Sequence, residues 1–238
     1  MIIENLTEMH CHIIPGIDDG AKDVETSLKM IERLKEQGAK KIVLTPHYYS
    51  DTISLDDFLR KREKAMDKLV NALPPNSPEL VPAAEIYISD YVFNNSSIKN
   101  ICIGDTGYAL IEHSFSSDFD DSVFDRLMNL YCDYGVKPVL AHIERYRALM
   151  TDKYKLDYFI EAGCLTQVNI SSFADSPWLI KKKLFKMLDE GKIHLIGSDC
   201  HNLDSRAPEY EDGINAIIKK CGQGAVDRLI NNADNLFK

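Results

Sequence analysis

The 238-residue chain lacks most of the short signatures that assign chemistry at sight. No Cys-x-x-Cys pair occurs, and the six cysteines (Cys11, Cys102, Cys132, Cys164, Cys200, Cys221) are scattered, which excludes a compact disulfide framework and reads as reduced thiols. There is no GxGxxG or GxxxxGK loop, so neither a dinucleotide site nor a P-loop is expected. Basic residues are in deficit, 28 Lys and Arg against 37 Asp and Glu, for a net charge of −9. That balance argues against nucleic acid or an anionic membrane as the main partner, although a phosphate ligand still fits a locally cationic pocket. A basic n-region leading into an apolar stretch is missing at the start, as is any apolar run long enough to span a bilayer. The expectation is a soluble cytoplasmic protein without membrane insertion.

Internal linkers and low-complexity stretches are absent too, and one domain over residues 1–238 is expected. What the chain does have is alternation. Short apolar, β-branched runs (Leu6 to Met9, Ile42 to Thr45, Leu80 to Ala84, Tyr108 to Ile111, Pro138 to Ala141, Leu165 to Ile170, Ile193 to Gly197) are mostly separated by helical patterns. Helices are expected at Asp23 to Gln37, with Asp23 as N-cap, and at Leu55 to Leu73, Ser122 to Asp133, Lys155 to Ala162, Pro177 to Glu190, Tyr210 to Lys220 and Ala225 to Asn232. Seven strands alternating with helices predict an α/β fold with a parallel sheet. Polar residues collect after nearly every strand. A closed or distorted β/α barrel, which builds its site at that end, explains this better than an open sheet.

Met9 to Gly20 packs two histidines, a thiol and two acids into one short stretch. Strand alternation puts His10 and His12 on one face and Cys11 on the other, while Pro15-Gly16 turns the chain and brings Asp19 back. The strand ends together contribute His10, His12, Asp19, His47, Glu85, Glu112, His142, Asp199 and His201, which include five of the seven histidines. This all-nitrogen and oxygen set fits two or three divalent ions with positions left for water and substrate, and suits manganese, iron or zinc. Cys11 and Cys200, each between two candidate ligands, are expected to be buried packing residues.

Four carboxylates against three divalent ions leave a surplus of two positive charges, which matches a phosphate dianion. Arg145 and Arg206, close in sequence to His142 and His201, supply guanidinium forks for phosphate oxygens. His113 is a candidate supporting group or proton donor, His194 a strand-interior histidine, and Asp18 a shaper of the turn. Tyr48, Tyr49, Tyr87, Phe115 and Tyr146 are candidates to line an aromatic entry. Cys200 to Arg206 spells C-x5-R, the spacing of cysteine-dependent phosphatases, but the intervening loop is acidic and has no glycine, which disfavours a thiolate nucleophile.

The blocks His10-Cys11-His12 with Ile17-Asp18-Asp19-Gly20, Thr45-Pro46-His47, Ala84-Glu85-Ile86-Tyr87, Tyr108 to Glu112, Ala141 to Tyr146, Gly163 to Asn169 and Ser198 to Leu203 occur in order. With them the chain resembles the PHP (polymerase and histidinol phosphatase) superfamily, and within it the metal-dependent bacterial protein-tyrosine phosphatases of capsular and exopolysaccharide biosynthesis. The resemblance implies a distorted seven-stranded β/α barrel and a trinuclear, usually manganese-dependent site on the nine residues above, with phosphate contact at Arg145 and Arg206. It also implies hydrolysis of phosphotyrosine by a metal-bridging hydroxide, on the tail of a tyrosine autokinase that controls polysaccharide synthesis. A small-molecule phosphatase of the histidinol-phosphate kind and a PHP nuclease are the alternatives.

Overall fold

In the computed structural model, which describes residues 2–94 and 97–238, every strand ladder is parallel. The strands are β1 (Leu6–Cys11), β2 (Ala39–Leu44), β3 (His47–Tyr49), β4 (Glu79–Pro82), β5 (Glu85–Tyr87), β6 (Tyr108–Glu112), β7 (Lys137–Leu140), β8 (Leu165–Asn169) and β9 (Leu195–Gly197). The helices are α1 (Val24–Glu36), α2 (Leu55–Ala72), α3 (Asp121–Tyr134), α4 (Arg147–Thr151), α5 (Lys153–Glu161), α6 (Ser172–Asp175), α7 (Trp178–Asp189), α8 (Glu211–Cys221) and α9 (Gln223–Asn235). Local chemistry starts and stops the helices. Asp23 and Ser54 accept the exposed amides of Thr26 and Asp57, and Gly135 ends α3 in a left-handed conformation at φ +65°.

Among the described residues nine strands stand where seven were expected, in a sheet of three (β1-β2-β4) and a sheet of six (β3-β5-β6-β7-β8-β9). The two extra strands, β3 and β5, each resume beyond the end of an expected strand after a short break, one at Thr45-Pro46 and one at Ala83-Ala84. Proline lacks the amide a central ladder needs, so it makes the first break. Backbone bonds still cross the break, from Ala83 N to Leu44 O at 3.0 Å and from Glu85 N to Pro46 O at 3.0 Å. At the other margin β1 meets β9 through an isolated parallel bridge, Cys11 with Cys200, rather than a continuous ladder. His194 precedes β9 instead of lying within a strand, which corrects that expectation.

Two apolar layers hold the sheets. The larger lies between strands and helices. The smaller is formed by Met9, Val43, Val81, Leu110, Val139 and Leu195, and is covered by Ala233, Leu236 and Phe237 at the chain's C-terminal end. Each large apolar side chain buried there contributes about 1.5–3 kcal/mol. Since the ladders are parallel, the C-terminal strand ends share one edge, and the chemistry-bearing residues gather there together with His47 and Glu85, which open β3 and β5 just past the breaks.

Candidate metal centre

Glu85, the first residue of β5, is the hub. Its Oε2 lies 3.1 Å from His10 Nε2, 3.2 Å from His12 Nε2 and 3.1 Å from His47 Nδ1, while its Oε1 lies 2.9 Å from His142 Nε2. Glu112 closes the far side, 3.5 Å from His142 Nε2 and 3.8 Å from His47 Nδ1. Asp199 Oδ1 stands 3.4 Å from both His10 and His12, and Asp19 Oδ1 lies 3.4 Å from His201 and 3.7 Å from His47. The fold brings all nine expected residues into one connected cluster. Three overlapping sets, His12-Asp19-His47-His201, His10-His12-Glu85 and His47-Glu85-Glu112, each place one ligand atom per residue within 4.8 Å of the others. His12, His47 and Glu85 belong to two sets each, so the sets share ligand residues.

The donor atoms fit cations. Glu85 Oε2, His47 Nδ1 and His201 Nε2 are buried and have no hydrogen-bond partner, although ligand-type atoms sit within 3.1–3.4 Å of each. Atoms bound to one ion at about 2.0–2.2 Å lie roughly 3–3.5 Å from each other. Their aim at shared points, not at each other, is what such an ion demands. Charge agrees. Burial works against an ionised Glu85, yet His10, His12 and His142 hold its carboxyl well below the usual carboxylate range. Burial likewise opposes an ionised Asp199, and His10, His12 and Arg145 overcome it. Burial would also empty His142 of its proton, but Glu112 and Glu85 lift it to about 9. The buried acids therefore draw positive charge into the cluster.

Supporting residues fix these orientations, and several were not expected from the sequence. Asp18 does more than shape the turn. Its Oδ2 accepts a hydrogen bond from His12 Nδ1 at 2.8 Å and the His47 amide at 3.0 Å, and so turns His12 Nε2 toward Glu85 and Asp199. Gln167 Oε1 lies 3.2 Å from His10 Nδ1 and accepts the His142 amide at 2.7 Å. Asn169 Nδ2 donates to Asp199 Oδ2 at 2.9 Å. Glu8, a wholly buried residue of β1, accepts the amides of His10 and Ser198 at 2.9 and 3.0 Å. The available signal was a carboxylate two residues before His10, on the same face of the strand by alternation.

Backbone also yields to the site. His142 and Asp199 sit at φ +30° and +53°, left-handed values that cost a side-chain-bearing residue about 1–3 kcal/mol. Gly20 is obligatory, since a Cβ there would meet the His12 carbonyl at 2.1 Å.

Arg145 and Arg206 place their guanidinium groups on the two oxygens of Asp199, at 2.7 and 2.8 Å, and both line a cleft of about 300 Å³ with Asn169 and Ser198. A second cleft of about 400 Å³ opens on the other side, past Asp19, His47 and Tyr49. The aromatic entry is smaller than expected. Tyr49 and Phe115 border the site, with Tyr49 5.3 Å from the His47 ring and Phe115 5.7 Å from His142, and Tyr87 packs on Tyr49 at 5.6 Å. Tyr48 and Tyr146 line no entry, because both are fully buried, although the Tyr146 ring also lies 5.7 Å from His142. Tyr48 points away from His47 by strand alternation and packs on Phe58, and the Tyr146 hydroxyl accepts the His113 amide. His113 packs on Phe119, and burial pushes its pKa down to about 3, so it holds no imidazolium proton to donate at neutral pH.

The C-x5-R spacing is not a phosphate cradle. Cys200 is fully buried. Its loop amides are spent internally: His201 N and Asn202 N donate to Arg206 O, and Asp204 N and Arg206 N donate to Asn202 Oδ1.

Comparison with known proteins gives a consistent picture. The family model for capsular polysaccharide synthesis, CpsB/CapC, matches residues 6–238. The tyrosine-protein phosphatase CpsB of Streptococcus agalactiae is 30% identical over 98% of both chains. CpsB of Streptococcus pneumoniae is 32% identical over 91% of both. Tyrosine-protein phosphatase YwqE of Bacillus subtilis is 28% identical, over 98% of this chain and 92% of its own. A chain from the crystal structures of YwqE and Streptococcus pneumoniae CpsB, described as unique metal-dependent tyrosine phosphatases, superposes with a TM-score of 0.84. That match has 26% identity and covers 97% of this chain and 94% of the other. The phosphotriesterase homology protein of Escherichia coli, solved with phosphate in its active site, shares the fold at a TM-score of 0.59 and 14% identity.

Proposed function

The chain belongs to the CpsB/CapC family of capsular polysaccharide synthesis, and from that premise we propose that it is a metal-dependent protein-tyrosine phosphatase acting on a capsule or exopolysaccharide tyrosine kinase. The observation that carries this reading is the convergence of His10, His12, His47 and His142 on one buried carboxylate, Glu85, whose Oε2 has no hydrogen-bond partner. We assign His10, His12, Asp19, His47, Glu85, Glu112, His142, Asp199 and His201 as ligands of two or three divalent ions, manganese first. The two broken strands, bridged by backbone bonds across their breaks, support reading the nine strands as a distorted seven-stranded barrel of the PHP type.

Bound divalent ions supply Lewis acidity toward phosphoryl oxygens and make hydroxide available as the nucleophile at neutral pH. The chain's own part is positioning. Arg145 and Arg206, braced by Asp199 at the cleft, take phosphoryl oxygens in their guanidinium forks and offset charge as it redistributes. Tyr49, Tyr87 and Phe115 border the approach for a tyrosine ring. The leaving phenolate has a conjugate acid of pKa near 10 and departs without a strong acid, which suits a site whose nearest extra histidine, His113, is neutral.

The test is hydrolysis of a phosphotyrosine peptide and of histidinol phosphate by metal-stripped protein, with and without manganese, before and after thiol alkylation. Peptide hydrolysis that returns with manganese and survives alkylation is expected. Activity indifferent to chelator but lost on alkylation would overturn the mechanism. A preference for histidinol phosphate would move the assignment to a small-molecule phosphatase.

A further inference from the structure

We propose that the N-terminal turns of α5 and α7 form a docking surface for an anionic lipid membrane, which holds the cleft of Arg145 and Arg206 against the bilayer surface. From Arg147 to Lys186 the chain carries seven basic and four acidic residues, against 28 and 37 overall. This is a cationic island on an acidic protein. Three large apolar side chains stand out of it into water: Tyr154, Trp178 and Leu179 are 73%, 67% and 70% exposed. Single exposed apolar residues are ordinary, but a cluster set among cations is the pattern of an interfacial anchor.

The details fit that surface. Lys182 Nζ sits 5.3 Å over the Trp178 ring and Lys153 Nζ 4.8 Å over the Tyr154 ring, so each aromatic body carries a cationic head beside it. Lys183 Nζ bonds the Met150 carbonyl, which joins α7 to the end of α4 just ahead of Tyr154. Among the described residues Arg147, Lys153 and Lys182 have no ion-pair partner, and Asp152 is spent capping α5. Trp178 and Leu179 project from a helix end. A soft, negatively charged surface receives such a projection, whereas an acidic peptide needs a groove with fixed donors. The island also abuts the cleft. Lys181 Nζ bonds the carbonyl of Ala174, a cleft-lining residue, at 2.9 Å, and Arg147 follows Arg145 by two positions. The net charge of −9, with Asp204, Glu209 and Asp212 on the far rim of the cleft, repels the same membrane elsewhere, so binding orients the molecule with the island down and the cleft beside it.

Trp178 is the chain's single tryptophan, so its fluorescence reports this surface alone. Full-length protein is titrated with vesicles of phosphatidylcholine and with vesicles of equal parts phosphatidylglycerol and phosphatidylcholine. The expected result is a blue shift and co-sedimentation with the anionic vesicles only, both reversed by high salt. Lys182→Glu should weaken co-sedimentation about fivefold or more, and Leu179→Ala should weaken it further, with hydrolysis of a small phosphate ester unchanged in both. No shift, equal binding to neutral vesicles, or binding indifferent to both substitutions would overturn the proposal. So would a shift produced by an acidic phosphopeptide and not by vesicles.

Discussion

The same strands do opposite things at their two ends. Ahead of the ligand positions along the chain, Met9, Val43, Val81, Leu110, Val139 and Leu195 meet in an apolar layer covered by Leu236 and Phe237. Beyond it His10, Glu85, Glu112, His142 and Asp199 crowd together, buried and ionisable, with Glu85 opening β5, the others at or just past strand C-terminal ends, and two residues in left-handed backbone. The first end stabilises the fold without directional demands. The second spends that stability on strained backbone, desolvated charge and donor atoms left without protein partners. Stability and chemistry are thus separated along each ladder, and substitutions at the two ends should fail in different ways.

The largest effect is expected from Asp199→Asn. It removes a carboxylate shared by His10, His12, Arg145 and Arg206, and phosphatase activity should fall about 10³-fold, ~4 kcal/mol in the barrier. Leu110→Ala, at the other end, should do the reverse, with a loss of about 3 kcal/mol in urea unfolding and a nearly normal kcat for the folded fraction. If Leu110→Ala cut kcat while Asp199→Asn spared it, the separation of roles would be wrong.

The polar end was the more legible in the sequence. Histidines and acids placed one after another behind apolar runs announce a shared edge, because parallel strands leave their C-terminal ends together. All nine ligand candidates came out this way. Supporting residues did not. Glu8 shows only as a carboxylate two residues before His10, and nothing local reveals that the Ser198 amide, far along the chain, binds it. Gln167 supports His10 and His142 across long sequence separations, which no periodicity encodes. Tyr48 failed for a simpler reason: it alternates with His47, and that alternation was in the sequence to be read. The short strands β3 and β5 escaped because the expected runs end at Thr45 and Ala84, and three residues are too few for a periodicity to announce that pairing resumes.

Asp18→Asn sharpens the comparison within the polar end. The amide keeps an acceptor for the His47 N–H but loses the charge that holds the His12 Nδ1 proton. Manganese affinity, measured by calorimetric titration of metal-stripped protein, should drop roughly 10–100-fold, with kcat recovering at saturating metal. Unchanged affinity would reduce Asp18 to a turn residue.

The smallest effect tests the two ends by the sign of their pH dependence. His194 lies toward the apolar end, its Nδ1 accepting from the Thr166 amide at 3.1 Å and its carbonyl accepting from Asn232 of α9. Burial pushes its pKa below 6.5. Below that value the unfolded chain binds a proton that the folded chain refuses, so stability falls on acidification. At about pH 5.5 the loss is at most ~1.4 kcal/mol. His12 and His142 behave oppositely in metal-free protein. Burial opposes their charge, but carboxylate partners raise both pKa values, that of His142 to about 9, so their contribution is full in acid and lost as pH climbs through that value. His194→Gln keeps an acceptor that does not titrate. In urea melts of metal-free protein, the variant should lose less stability than the parent between about pH 7.5 and pH 5.5. Identical slopes would mean that His194 takes its proton without breaking the Thr166 contact, and that the acid response of the fold belongs to the other end.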